Sequence, residues 1–201
     1  MPQGNRDSNA GLLMRDDLLL GAGPTGLSGI FTIDAIKREH SVAYMTPASS
    51  RLADDFNVFR LDRERLADAE NYMLRANKSI HRSWPLNDDA TNDNLRRDCY
   101  LVRWCQRIYS VGLFTSDASL LKIAGDLAWP AQIYVDRFLY DQEPMNQCEL
   151  YMFDLKSESW FHWNQRWMKA NDVPRPSGIY TVVGSDKLSR AAKIAIDYLW
   201  I

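Results

Sequence analysis

The run Ile36-Lys37-Arg38-Glu39-His40-Ser41-Val42-Ala43-Tyr44-Met45-Thr46 sets the expected architecture. It predicts one short strand, and the residues after it predict two helices, Pro47 to Phe59 and Asp62 to Ile80. Pro47 suits a first helical turn behind Thr46 as cap, and Leu52, Phe56 and Phe59 share one helical face. Asp62 caps the second helix, where Leu66, Ala69, Met73, Ala76 and Ile80 recur at three- and four-residue steps. A strand without a nearby hairpin partner leaves its backbone donors and acceptors unmatched. The simplest partner is the same strand of a second copy.

Strand, helix, helix is the plan of a ribbon-helix-helix dimer, whose two-stranded antiparallel ribbon enters the DNA major groove. The expected fold is therefore α+β and mainly helical. A mobile arm and Gly-rich turn occupy 1–30, the strand-helix-helix unit for DNA binding and dimerisation 31–82, and a helical part with a small C-terminal β-hairpin 83–201.

Upstream, Leu18-Leu19-Leu20-Gly21-Ala22-Gly23-Pro24-Thr25-Gly26-Leu27 places Gly21, Gly23 and Gly26 in a G-x-G-x-x-G spacing behind an apolar run. The string resembles the opening of flavin-dependent monooxygenases, where such glycines let the backbone approach a pyrophosphate at a helix N-terminus. Three features oppose that reading. Ile30-Phe31-Thr32-Ile33 alternates as a strand does, Met45-Thr46 offers no acidic residue for a ribose hydroxyl, and mainly helical sequence follows. A Gly/Pro turn between two extended segments is expected instead, with no cofactor.

Beyond the turn-rich Ser83-Trp84-Pro85-Leu86-Asn87-Asp88-Asp89, a helix is expected from Asp93 to Val111, apolar on two sides and ended by Gly112. Ser116 then caps a helix through Leu120, Leu121, Ala124, Leu127 and Ala128, and Pro130 starts another carrying Ile133, Phe138 and Leu139. Glu149 to Leu155 and Ser159 to Trp163 flank Lys156-Ser157-Glu158 as a β-hairpin. Ile179 to Val183 is a short strand, and a helix from Ser185 presents Leu188, Ala192, Ala195 and Leu199.

Of 201 residues, 46% are hydrophobic and 25% charged, as in a globular domain, and no apolar run reaches bilayer length. Residues Arg6 and Asp7 stand where a signal peptide would turn apolar, so a cytoplasmic, non-membrane protein is expected. Cys99, Cys105 and Cys148 form no Cys-x-x-Cys pair, and Cys99 and Cys105 read as small core residues. His40, His81 and His162 are isolated, so no metal site is expected. With no nucleophile–base, P-loop or paired-carboxylate pattern, catalysis is not expected. A net charge of −2 argues against a broad nucleic-acid surface, leaving room only for a few placed cations. The Trp-rich C-terminal part suits aromatic packing or a protein partner.

Tyr100-Leu101 through Val111-Gly112-Leu113-Phe114-Thr115-Ser116-Asp117-Ala118, with the strand ending Met45-Thr46, resembles a family of conjugative-plasmid and integrating-conjugative-element proteins. That family includes a ribbon-helix-helix activator of plasmid transfer genes. The resemblance spans 36 to 140 and implies a homodimer on double-stranded DNA that regulates conjugation. On that plan one strand face presents Arg38, His40, Val42 and Tyr44 to the groove. Arg38 would take guanine bidentately, Lys37 or His40 would reach base edges or phosphate, and Arg60 and Arg63 would hold phosphate at a helix start. Glu39 departs from the pattern. The same strand also reads as an ordinary edge with solvated charges. Two rival functions stay open: a protein-interaction module, and a nucleotide- or flavin-binding enzyme using Gly21 to Gly26.

Overall fold

The computed structural model describes residues 17–48, 50, 52, 57–117, 120–140, 147–184 and 187–201, with backbone alone at 116, 117, 120 and 140. The chain forms β1 (Asp17–Gly21), α1 (Gly26–Lys37), β2 (Ser41–Pro47) and β3 (Val58–Leu61), then α2 (Arg63–Ile80) and α3 (Asp89–Leu101). Next come β4 (Arg107–Gly112), β5 (Phe114–Asp117), β6 (Leu120–Ile123) and α4 (Ala128–Tyr140). β7 (Glu149–Asp154), β8 (Ser159–Trp163), β9 (Trp167–Lys169), β10 (Gly178–Gly184) and α5 (Arg190–Tyr198) follow.

Eight strands make one sheet in the order β3-β2-β1-β10-β4-β7-β8-β9, and β5–β6 is a separate hairpin. Neighbours from β3 to β7 are parallel, while β8 and β9 are antiparallel additions. A parallel sheet has helices on both faces, so its strands are apolar on both sides. Leu18-Leu19-Leu20 shows this directly. Leu19 packs with Leu27, Phe31, Ala192 and Ile196 of α1 and α5. Leu18 and Leu20 join Met73, Leu95 and Trp129 of α2, α3 and α4.

The fold is thus α/β, not the mainly helical ribbon-helix-helix arrangement. β2 lies inside one chain, paired with β1 through Leu19↔Val42 and with β3 through Met45↔Phe59. Both edges of the strand are taken, so it has no ribbon to share with a second copy. The parallel partner β1 stands one helix away in sequence, so no hairpin turn beside β2 marks it. Ile36 and Lys37 close α1 rather than open the strand, and the chain turns at Glu39 with φ +62°.

Other elements sort by how distinctive their signals were. Asp62 caps α2 by accepting from Arg65 N, and the β7–β8 hairpin and β10 stand where expected, while the closing helix begins at Arg190 with Ser189 as its cap rather than at Ser185. The helix expected over Asp93 to Val111 ends at Leu101, and its second half is β4. The helix expected from Ser116 is the β5–β6 hairpin. Phe59 belongs to β3, while residues 49, 51 and 53–56 of the expected first helix lie outside the described residues. So do Ser185 and residues 1–16 of the arm. Cys99 and Cys105 are core residues, and burial raises both thiols, which leaves them unreactive. Among the described residues no helix is long and apolar enough to cross a membrane.

Asp154 ties the end of β7 to two turns. Its carboxylate accepts from Phe114 N at 3.1 Å and from Ser157 N and Oγ at 2.9 and 2.7 Å. Burial alone would raise its pKa, but these hydrogen bonds outweigh burial and hold it below the usual carboxylate value. A depressed native pKa gives stability that is present above the unfolded-state pKa and lost as pH falls through the native value. Asp154→Ala is therefore expected to cost about 2 kcal/mol at pH 7 by taking the acceptor from the part-buried Phe114 N–H and from Ser157. The difference from wild type should shrink below about pH 4 in urea titrations. A constant difference from pH 7 to pH 3 would contradict the assignment.

Candidate functional site

The winding of the sheet marks one place on its carboxyl edge. From β1 the chain goes through α1 to β2 and β3 on one side, then crosses through α2 and α3 to β4 and β7 on the other. β10 fills the gap between β1 and β4. In open α/β sheets a crevice forms outside the strand ends where the winding reverses, and ligands bind there.

Glycines floor this crevice. β1, β10 and β4 end at Gly21, Gly184 and Gly112. A Cβ on Gly21 would stand 2.6 Å from Ser28 Oγ and 3.0 Å from the Tyr44 ring, and one on Gly112 would stand 2.8 Å from Leu127. On Gly184 it would strike the Val111 backbone. At Gly23, by contrast, a Cβ would meet nothing within 4 Å, so the backbone of the turn is open to an approaching group.

The G-x-G-x-x-G spacing sits on the turn from β1 into α1, with Gly26 opening the helix. Ser28 Oγ accepts from Ala22 N at 3.1 Å and Gly23 N at 3.4 Å, which curls the turn over the helix start. Helices α2, α3 and α5 have their first-turn N–H groups capped by Asp62, Asp88 and Ser189. Thr25 makes no such side-chain cap on α1, and the first turn carries no acidic residue. Its amide donors and the positive end of its dipole are left to an outside acceptor.

Two cavities share Gly184 in their lining. The first, about 360 Å³, lies between the Gly23–Ser28 turn and the Asn94, Arg97 and Asp98 side of α3. The second, about 520 Å³, lies over the ends of β4 and β10, walled by Leu113, Leu127 and Leu155. Asp98, Val183 and Gly184 border both. Arg97 is held in place by Asp98 at 2.8 Å and by Asn94 at 3.0 Å.

Comparison of the chain with protein-family models, curated proteins and solved structures finds no match. Geometry alone carries the functional reading.

The six residues expected to meet DNA do not share a surface. Lys37 is exposed and paired with Asp34 at 3.3 Å. Arg38 donates from Nε and Nη2 to Trp200 O, at 3.2 and 2.8 Å. His40 meets Tyr180 OH at 3.0 Å and Asp17 at 3.6 Å on the amino edge of the sheet, away from the crevice. Tyr44 is buried, its hydroxyl donating to Thr32 Oγ1 at 3.0 Å. Arg60 donates to Ser50 O and Leu52 O beyond the end of β2, and Arg63 is exposed at the start of α2. Arg38, His40 and Tyr44 each bond across to another part of the fold. The residues that line the crevice, Ser28, Asn94, Arg97, Asp98 and Gly184, were not singled out for function from the sequence. Only the glycine spacing pointed there.

Proposed function

We propose that this chain binds a dinucleotide cofactor across the carboxyl edge of its sheet. The pyrophosphate lies on the Gly21–Gly26 turn, and the two ends occupy the cavities beside Gly184. The carrying observation is that the glycine spacing stands on the β1–α1 turn at the reversal of winding, before a helix start whose N–H groups no side chain caps. The open space above Gly23 gives the phosphate room to approach. Arg97, paired with Asp98, supplies a guanidinium on the α3 wall of the first cavity. The end of β2, Met45-Thr46, brings no carboxylate to the ribose, so recognition leans on phosphate and on the walls of α3.

NADH, NADPH and FAD titrated into the purified chain, followed by calorimetry, test the reading. Saturable binding of one of the three is expected, and Arg97→Gln should weaken it about tenfold, the loss of one charge-assisted contact. Absence of millimolar or tighter binding by all three would sink the proposal. An unchanged affinity in Arg97→Gln would remove Arg97 from the site. The resemblance to a transfer regulator gains no ribbon from this fold, and a gel shift with duplex DNA is the control that keeps the two functions apart.

A further inference from the structure

A third cavity, about 420 Å³, lies beyond the β5–β6 hairpin, lined by the end of α2, the hairpin, α4 and the antiparallel strands β8 and β9. It touches neither the glycine turn nor Arg97 and owes nothing to the dinucleotide reading. Its size falls in the range of small-molecule sites.

Its chemistry is one-sided. Arg82 and Lys122 line it, and none of its described lining residues is acidic. Arg82 is half-buried and fixed in place: Asn77 holds its backbone N–H and carbonyl at 2.8 and 2.7 Å, and its Nη2 donates to Ile123 O at 3.1 Å. Among the described residues no carboxylate pairs with this guanidinium. A charge partly withdrawn from water without a counter-ion favours an anionic ligand, and a guanidinium fork matches the two oxygens of a carboxylate. Trp163 and Trp167 line the same cavity, pack edge to face at 5.5 Å and stand with Ile80, Ile123 and Val135 in its lining. Flat aromatic walls select a flat aromatic guest.

We propose that this cavity binds a planar organic carboxylate of one or two aromatic rings, with the carboxylate on Arg82 and the ring against Trp163 and Trp167. The probe is 2-naphthoate, with 2-naphthamide as its uncharged twin, each titrated into the full chain by calorimetry. Naphthoate should bind at one saturable site about tenfold more tightly than the amide. Arg82→Gln should bring naphthoate down to the level of the amide while the amide itself is unchanged, which also shows that the variant is folded. Trp167→Ala should weaken both. Arg82→Lys keeps the charge and loses the fork, so it should fall between wild type and Arg82→Gln. If Arg82→Gln does not fold, that lysine variant decides alone. No saturable naphthoate binding, equal affinity for acid and amide, or wild-type naphthoate affinity in the Arg82 variants would overturn the proposal.

Discussion

Gly184→Ala is expected to lower the unfolding free energy by about 3 kcal/mol or more, from strain and overpacking acting together. Gly184 has φ +141°, a backbone setting that side-chain-bearing residues rarely adopt. An added Cβ would press on the Val111 carbonyl oxygen, 2.9 Å from Val111 N and 3.0 Å from its carbonyl carbon. The obstacle is paired backbone, since Gly184 and Val111 are register partners of β10 and β4 at the centre of the sheet. A flexible side chain would swing aside, but a ladder strand cannot. Gly125→Ala separates the two causes. Gly125 also has positive φ, +64°, yet a Cβ there would meet nothing within 4 Å, so only the strain of about 1 kcal/mol applies. Chemical denaturation of the two variants side by side should show the larger loss at Gly184. A loss below 1 kcal/mol at Gly184 would mean that β10 and β4 do not approach this closely.

What the sequence revealed depended on whether burial left an apolar rhythm. α2 has a polar outer face and a buried Ala69, Met73 and Ala76, and its bounds were readable to within a residue. α1 inverts the rule. Its buried side includes Ser28, Gly29 and Thr32, while Ile33 and Ile36 are 57% and 62% exposed. Thr32 satisfies its hydroxyl on Ser28 O at 2.9 Å and accepts from Tyr44, so small polar groups sit comfortably against the sheet. The apolar residues on the outside then mimic a strand, and the reading of the whole glycine turn went with it. β4 failed for a different reason. Ile108, Tyr109, Ser110 and Val111 are all buried, because both faces of that strand are covered, and a stretch without in–out alternation does not distinguish strand from buried helix. Strand order was out of reach altogether. Nothing local announces that β10, near the end of the chain, inserts between β1 and β4. That insertion is what places the end of β10, with Gly184, between the ends of β1 and β4.

The glycine turn answers to a residue outside its own motif. Gly29→Ala is expected to lower dinucleotide affinity by at least about tenfold, although alanine in a helix ordinarily adds as much as 1 kcal/mol over glycine. A Cβ on Gly29 would run into the Pro24 carbonyl and stand 2.8 Å from its carbon. Pro24 lies in the turn that faces the first cavity, between Gly23 and Thr25, both of which line it. Gly29 N also donates to Thr25 O at 2.9 Å, so helix and turn are locked at this point and the strain has no outlet except through the turn. Displacing Pro24 moves the Gly23 amide off Ser28 Oγ, already at 3.4 Å, and disperses the N–H groups that are to hold phosphate. Ile33→Ala, on the exposed side of the same helix, is the control and should leave binding unchanged. Both variants are to be titrated well below their melting temperatures, with near-UV circular dichroism confirming the fold. Native affinity in Gly29→Ala would show that the cofactor does not rest on this turn, and the dinucleotide reading would fall with it.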